Sequence, residues 1–333
     1  MQNVKKQQNY MLFAVFVTTL LFGLYQQRLN LFTIPTILQD TLTLTLGILY
    51  EALPFIFLGV GISVAIQQFV KQNIMFSLLP KKSWLRRPAL SLLGMFLPVC
   101  ECGNVPLARG LIAKGLKPSE VLTFLFAAPI INPITIYTTI AAFQFDNRVV
   151  VIRVLAGFII ANMVGWLFVR HKRTEILQEK FEVYCASHEH EPPSHKTAIT
   201  KRLQNYAVSF QEETAKLMPA LVGGSMLAGL IQTAVPRTIL IGVSQQPVLA
   251  ILALILLAFV ISICANVDAF FALSLASIFP LGAIVAFLVF GPMIDIKMLA
   301  LLKTTFKPRI LVISSLFIFL TSFLTGLVVH YAF

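Results

Sequence analysis

Polar and helix-breaking residues interrupt an apolar run that is long enough to cross a lipid bilayer. The stretch from Leu97 to Pro106 reads LPVCECGNVP and holds two thiols, a carboxylate, an amide and two prolines. Polar side chains and freed backbone groups persist at membrane depth only where they face protein or a water-lined cavity. The stretch therefore predicts a functional site on a broken membrane helix.

The rest of the chain supports a membrane location. Of the 333 residues, 57% are hydrophobic and 12% are charged, whereas charged residues make up about 25% of soluble domains. The net charge of +12 comes from basic residues between apolar runs, a pattern typical of membrane topology that excludes nucleic-acid binding. Runs near the length of a membrane helix lie at 10–30, 44–70, 88–113, 119–143, 148–169, 207–234, 247–278, 280–302 and 309–331.

A second polar interruption matches the first. Residues 263–268 read ICANVD, and the CANV at 264–267 repeats the pattern of the CGNV at 102–105. Further markers occur in the same order in both halves, namely Pro54-Gly59-Gln67 with Pro219-Gly224-Gln232, and Pro129-Asn132 with Pro292-Asp295. Several markers in one order indicate an internal duplication, which places Cys264 opposite Cys102.

Charge placement favours one topology. If segments 88–113 and 247–278 are re-entrant and the N-terminus is cytoplasmic, 20 Lys and Arg residues lie inside and four outside, whereas two full crossings would give 14 and 10. The positive-inside rule favours the hairpins. We therefore predict an all-α polytopic membrane protein with an N-terminal helix and two inverted repeats, each with three transmembrane helices and one re-entrant broken-helix hairpin. Such repeats are common in secondary transporters.

These features divide the chain into four segments. Residues 1–43 hold a cytoplasmic tail, an uncleaved transmembrane helix and an external loop; 44–170 and 207–333 are the two membrane repeats; and 171–206 is a polar cytoplasmic linker. The linker carries Cys185 and four of the five histidines, but no second ligand cluster accompanies them, so we interpret it as solvated. The expected location is the plasma or inner membrane.

The two cysteines of the first interruption can aim both sulfurs into one cavity only where the backbone is broken. On a continuous helix, residues two apart point to different faces. Converging thiolates are soft ligands for trivalent metalloids, Cu(I) or zinc, and they can also exchange with a disulfide. Cys100 and Cys102 are therefore candidate redox or substrate-binding residues, and Cys264 joins them through the repeat. The alternative is that these small side chains only pack.

Other polar residues near the interruptions are candidates for substrate binding. Glu101 and Asp268 are carboxylates near mid-membrane and suit proton coupling, or they pair structurally with Arg109 or Lys216. Arg109 lies two turns after Cys102 and either attracts an anion to the thiols or extends towards the Lys114 side. The remaining candidates either cap half-helices or contact substrate; they are Asn104, Asn132, Asn266 and Asp295.

One family resemblance follows from these motifs. Residues 97–115, LPVCECGNVPLARGLIAKG, with APIINP at 128–133, resemble the predicted permeases of the YraQ-like and ArsP-like group, and the resemblance extends from about Leu44 onward. Better-understood ArsP-like members export trivalent organoarsenicals, and the resemblance implies that their paired cysteines correspond to Cys100 and Cys102. The chain differs from that branch at Glu101 and Gly103-Asn104, where the exporters carry small hydroxylated residues.

Two functions fit these features. The first is a permease that binds a soft, thiol-reactive or thiol-containing small solute at the paired cysteines and exports it, with a proton gradient as the energy source. The second is a membrane-embedded thiol/disulfide oxidoreductase that uses the same cysteines. A purely structural scaffold would not explain the duplicated polar breaks. We expect no cofactor, a small-molecule substrate and the lipid bilayer as partners, and the sequence is compatible with a homo-oligomer.

Overall fold

The computed structural model describes residues 36–70, 77, 79–80, 82–96, 99–143, 147–188, 199–234 and 246–332. The predicted helix at 10–30 lies outside these ranges. Within them the chain is helical, with one isolated bridge between Leu177 and Phe306 and no strand, which confirms the all-α prediction. The helices are α1 (Thr36–Phe69), α2 (Ser83–Leu92), α3 (Glu101–Ala113), α4 (Pro118–Ile131), α5 (Pro133–Ala142), α6 (Asn147–Leu167), α7 (Arg173–Ile176), α8 (Glu179–His188), α9 (Ile199–Ala234), α10 (Pro247–Ile261), α11 (Asp268–Leu275), α12 (Leu281–Phe290), α13 (Ile296–Leu302) and α14 (Pro308–Ala332).

Five helical segments in the described ranges are long and apolar enough to cross a membrane. They are Ile37–Phe69, Pro118–Ala142, Arg148–Leu167, Leu203–Ala234 and Pro308–Ala332. Each falls on an apolar run that the sequence predicts. The chain is therefore a multi-pass membrane protein, and its length and hydropathy pattern are sufficient to explain these five elements.

Both predicted interruptions are breaks in helical structure. A short 3₁₀ turn extends α2 to Phe96, and α3 begins at Glu101; in the second half α10 ends at Ile261 and α11 begins at Asp268. Two further breaks separate α4 from α5 and α12 from α13. The first of these falls at Asn132, which is extended because the next residue is a proline.

The long helices α1 and α9 pack side by side in opposite directions. Thr41, near the start of α1, lies 3.0 Å from Thr233, near the end of α9, measured between their hydroxyl oxygens. Towards the other end, the Tyr206 hydroxyl donates to the carbonyl of Gly61 over 3.0 Å. The antiparallel pair links the two halves of the chain.

Glycines allow α1 and α3 to pack backbone against backbone. A Cβ on Gly59 would lie 2.2 Å from the carbonyl oxygen of Gly103, and a Cβ on Gly103 would lie 2.5 Å from the carbonyl oxygen of Phe55. Small residues permit such close approach between membrane helices. The contact fixes the first turn of α3, which carries the CxC stretch.

The first part of the predicted linker folds against the membrane helices, so its interpretation as solvated is wrong there. Leu177, Phe181 and Cys185 are buried. The Gln178 amide donates to the carbonyl of Thr305 over 2.9 Å. Phe181 and Cys185, four residues apart, share one face of α8, a signal that the polar composition of the segment obscures. Residues 189–198 lie outside the described ranges, and α9 begins inside the predicted linker.

Candidate thiol and ion-pair site

Three thiols and a carboxylate from both halves of the chain meet between the helix breaks. The sulfurs of Cys100 and Cys264 and a carboxylate oxygen of Glu101 lie within 4.8 Å of one another. The thiol of Cys102 is close enough to that of Cys100 to interact with it. All four side chains belong to residues no more than 1% exposed, and the cysteines are free. The structure thus brings the three predicted cysteines together.

The backbone places these thiols where half-helices begin. Cys100 is the N-cap of α3, and its carbonyl accepts from the amides of Gly103 and Asn104 over 3.1 and 3.2 Å. The Cys264 carbonyl accepts in the same manner from Val267 and Asp268, over 2.9 and 3.1 Å. A helix N-terminus carries partial positive charge and favours negative charge beside it. The opening turn of α3 is therefore suited to a thiolate or a carboxylate.

A fully buried lysine lies beside the thiols. The Nζ of Lys297 is 3.5 Å from Oε1 of Glu101 and 3.9 Å from Oδ2 of Asp295. It donates to the carbonyl of Ser262 over 3.2 Å. Ser262 adopts a left-handed conformation with φ of 53° at the end of α10, which turns the chain there.

A second buried cation pairs with Asp268. The guanidinium of Arg153 lies 2.5 Å from Oδ2 of Asp268 and donates to the hydroxyl of Thr139 over 2.8 Å. From the sequence, Arg109 or Lys216 is the expected structural partner of the carboxylates. This expectation is wrong, because Asp268 pairs with Arg153 on α6 and Glu101 pairs with Lys297.

Arg109 is held by a different carboxylate. Its Nε lies 3.1 Å from Glu213, one of its terminal nitrogens donates to the Thr305 hydroxyl over 3.0 Å, and the guanidinium lies 4.3 Å from the centre of the Phe181 ring. Burial raises the pKa of Tyr184 on α8 well above its usual range, so this nearby hydroxyl stays protonated. The contacts engage Arg109 in an ion pair with α9.

The predicted capping residues differ in what they contact. Asn132 accepts from the Ile134 amide over 2.9 Å and donates to the Val99 carbonyl over 3.1 Å. Asp295 accepts from the Met298 amide. Both therefore cap half-helices, and Asn132 also holds the backbone next to Cys100. Asn266 instead accepts from the hydroxyl of Thr135 in the other half, over 3.1 Å.

Asn104 is the buried candidate without a protein partner. Both polar atoms of its amide are buried, and neither has a hydrogen bond within the described part of the chain. It lies one helical turn after Glu101, so the two side chains share a face of α3. Buried polar atoms are normally paired with protein or an ordered ligand, so this amide is available to a bound solute.

Helices that break around a buried thiol and ion-pair site, inside a multi-pass helical bundle, define a membrane protein of the permease class. A family model described as a predicted permease, ArsP_1, matches residues 37–331. The chain belongs to this family, and the resemblance found in its motifs is confirmed.

Two curated relatives match over most of their length. A protein of Streptococcus mutans serotype c, provisionally named as a subunit of a two-component membrane permease complex, is 35% identical over 278 residues, which cover 83% of this chain and 90% of the relative. The UPF0718 protein YcgR of Bacillus subtilis is 34% identical over 267 residues, covering 79% and 88%. No solved structure matches the chain.

Proposed function

We propose that the protein is a secondary permease of the plasma or inner membrane that exports a soft, thiol-reactive small solute. Cys100, Cys102 and Cys264 would bind the solute, with Glu101 and Asn104 beside them. The observation that carries the proposal is the convergence of thiols from both halves at two helix breaks. Unwound segments that meet between repeats are where secondary transporters bind substrate.

The binding chemistry is reversible and needs no electron transfer. A trivalent organoarsenical of the form R–As(OH)₂ would react with two thiols, so that two As–S bonds replace two As–O bonds. Each thiol proton would leave with a hydroxyl group as water. Soft sulfur ligands favour such centres over hard cations, and reversal of the same step would release the solute.

We also propose that the two halves are inverted repeats, each with a re-entrant hairpin. The antiparallel packing of α1 and α9, the helices that open the two halves, supports the inversion. In the first hairpin, Arg86 at the start of α2 lies 3.5 Å from Glu120 at the start of α4. Ile112, at the end of α3, accepts from Arg173 over 3.4 Å. These contacts support a hairpin that enters and leaves on the same side.

Energy coupling would involve Glu101. One oxygen of each carboxylate has no hydrogen bond in the described ranges, but Asp268 lies 2.5 Å from Arg153 whereas Glu101 lies 3.5 Å from Lys297. The more loosely paired Glu101 is therefore the better candidate to gain and lose a proton. We further propose that the chain works with a second membrane subunit, because one relative is named as part of a two-component complex. Membrane vesicles from cells that produce the chain are therefore a better first assay than the purified protein alone.

The test is flux into everted membrane vesicles. Methylarsenite and arsenite accumulation would be measured with and without a pH gradient, in vesicles with the unmodified chain, Cys102→Ser or Cys185→Ser. Cys185 is a matched control because it is also a buried thiol outside any disulfide but lies on α8. We expect flux with the unmodified chain and with Cys185→Ser, and at least a tenfold loss with Cys102→Ser.

Two outcomes would contradict the proposal. Equal flux with Cys102→Ser would exclude the thiol site. A mixed disulfide trapped in Cys102→Ser, together with no flux for the unmodified chain, would indicate thiol/disulfide exchange instead.

A further inference from the structure

The Glu101 carboxylate lies next to both the thiols and Lys297. One of its carboxylate oxygens lies within 4.8 Å of the sulfurs of Cys100 and Cys264. Its Oε1 lies 3.5 Å from the ammonium of Lys297, and its Oε2 has no hydrogen bond in the part of the chain that the structure describes. The same carboxylate can therefore face the thiols or face the lysine.

Lys297 is shared between two carboxylates and is bound tightly by neither. Its distances of 3.5 Å to Glu101 and 3.9 Å to Asp295 exceed the roughly 2.8 Å of a strong charge-assisted hydrogen bond. Asp295 is fixed, because its other oxygen caps α13 through the Met298 amide. The ammonium can thus move towards Asp295 without moving that carboxylate, while the Ser262 carbonyl holds it from a third direction.

The charges at this point favour a cation as the bound species. One ammonium faces two carboxylates, so the group is net negative when the thiols carry their protons. Coulomb interactions act strongly over a few ångströms in a site shut off from water. A cation that entered would be attracted by Glu101 and the thiols, but it would have to compete with Lys297.

We propose that Lys297 is an internal counter-cation that competes with a soft-cation substrate for Glu101, so that the site binds this cation weakly enough to release it. This inference rests on the proposed permease function and names the substrate class of the same site. In the empty site Lys297 neutralises Glu101. When a soft cation binds, Glu101 turns to it and the thiols, and Lys297 stays with Asp295 and the Ser262 carbonyl. When the cation leaves, Lys297 pairs with Glu101 again.

Binding of two probes to the purified full chain tests this role. Cd²⁺ is a soft cation whose thiolate complexes absorb in the ultraviolet, and its binding releases the thiol protons to solvent; phenylarsine oxide binds the same thiols but is neutral. We expect Lys297→Gln to bind Cd²⁺ at least tenfold more tightly, with phenylarsine oxide affinity changed by less than threefold. Lys303→Gln is the matched control, because Lys303 follows the same helix but is exposed.

A second variant should change the Cd²⁺ affinity in the opposite direction. Glu101→Gln keeps the lysine and removes the carboxylate for which the lysine and the cation compete, so Cd²⁺ should bind at least tenfold more weakly, a larger loss than any change in phenylarsine oxide affinity. Retained phenylarsine oxide binding also shows that each variant is folded. If Lys297→Gln does not fold, the Cd²⁺ affinity of Glu101→Gln alone tests the role of Lys297. Unchanged Cd²⁺ affinity in either folded variant would overturn the role of Lys297. Failure of the unmodified chain to bind either probe would instead overturn the thiol site.

Discussion

Arg153 and Asp268 form an ion pair that is closed to solvent and joins the two halves of the chain. The side chains are 1% and 3% exposed, and the pair links α6 of the first half to α11 of the second. Burying two charges costs several kcal/mol for each ion, which only their pairing offsets. The pair therefore holds the start of α11, and with it the break that carries Cys264.

Removal of one partner should be strongly destabilising. Asp268→Ala would leave a buried guanidinium without a counter-charge, and we expect a loss of about 3–5 kcal/mol in the free energy of unfolding. Denaturant unfolding in detergent measures this loss. Asp40→Ala, at an exposed site on α1, should change stability by less than about 0.5 kcal/mol. Similar stability of the two variants would show that the pair does not hold the halves together.

The close approach of α1 and α3 predicts that one glycine on α1 is critical and another is not. A Cβ on Gly59 would collide with the backbone at Gly103, whereas a Cβ on Gly47 would meet no atom within 4 Å. Gly59→Ala should cost about 1–3 kcal/mol of stability because backbone atoms must separate. Gly47→Ala should be neutral or stabilising by up to about 1 kcal/mol. Thermal unfolding of both variants tests the difference, and equal midpoints would refute the packing.

The distance between the thiols of the two halves predicts a cross-link. With Cys102 and Cys185 replaced by serine and a protease site inserted after His190, diamide should join Cys100 to Cys264, because their sulfurs need to move only a few ångströms to reach the bond length of about 2.05 Å. After proteolysis the fragments should stay together on a non-reducing gel and separate on a reducing one. The same chain with Cys264→Ser should separate on both gels. Separation in the presence of both cysteines would contradict the shared site.

The proposed hairpins predict where reporter fusions lie. Fusions after Lys82, Lys117 and Phe306 should report the cytoplasm, and a fusion after Tyr331 should report the outside. The reason is that each hairpin returns to the side from which it enters, which keeps most basic residues inside. A fusion after Lys117 that reports the outside would exclude the first hairpin and the inverted repeat with it.

The sequence predicts the broken segments well because their signals are local. Proline, cysteine and amide residues inside an apolar run mark a break, and the CxC spacing with the repeat is enough to bring Cys100, Cys102 and Cys264 together. The partners of the carboxylates are not local. Lys297 and Arg153 lie on apolar helices, and a count of basic residues treats them as charges at the ends of membrane segments. Only tertiary packing brings them to Glu101 and Asp268.

The capping residues show the same difference between local contacts, which the sequence predicts, and distant contacts, which it does not. Asn132 and Asp295 cap helices within three residues of themselves, and their sequence positions predict this. Glu213 lies more than a hundred residues from Arg109 on a helix with no marker beside it. Its role follows only from the packing of α9 against the first half.

The most direct test of the thiol site is protection from alkylation by a dithiol-specific ligand. Phenylarsine oxide would be added to the unmodified chain in membranes, followed by a maleimide, and the modified cysteines would be quantified by mass spectrometry. We predict one arsenical per chain and at least tenfold slower alkylation of at least two of Cys100, Cys102 and Cys264, with no change at Cys185. Unchanged alkylation of Cys100 and Cys264 with the arsenical present would contradict a shared substrate site.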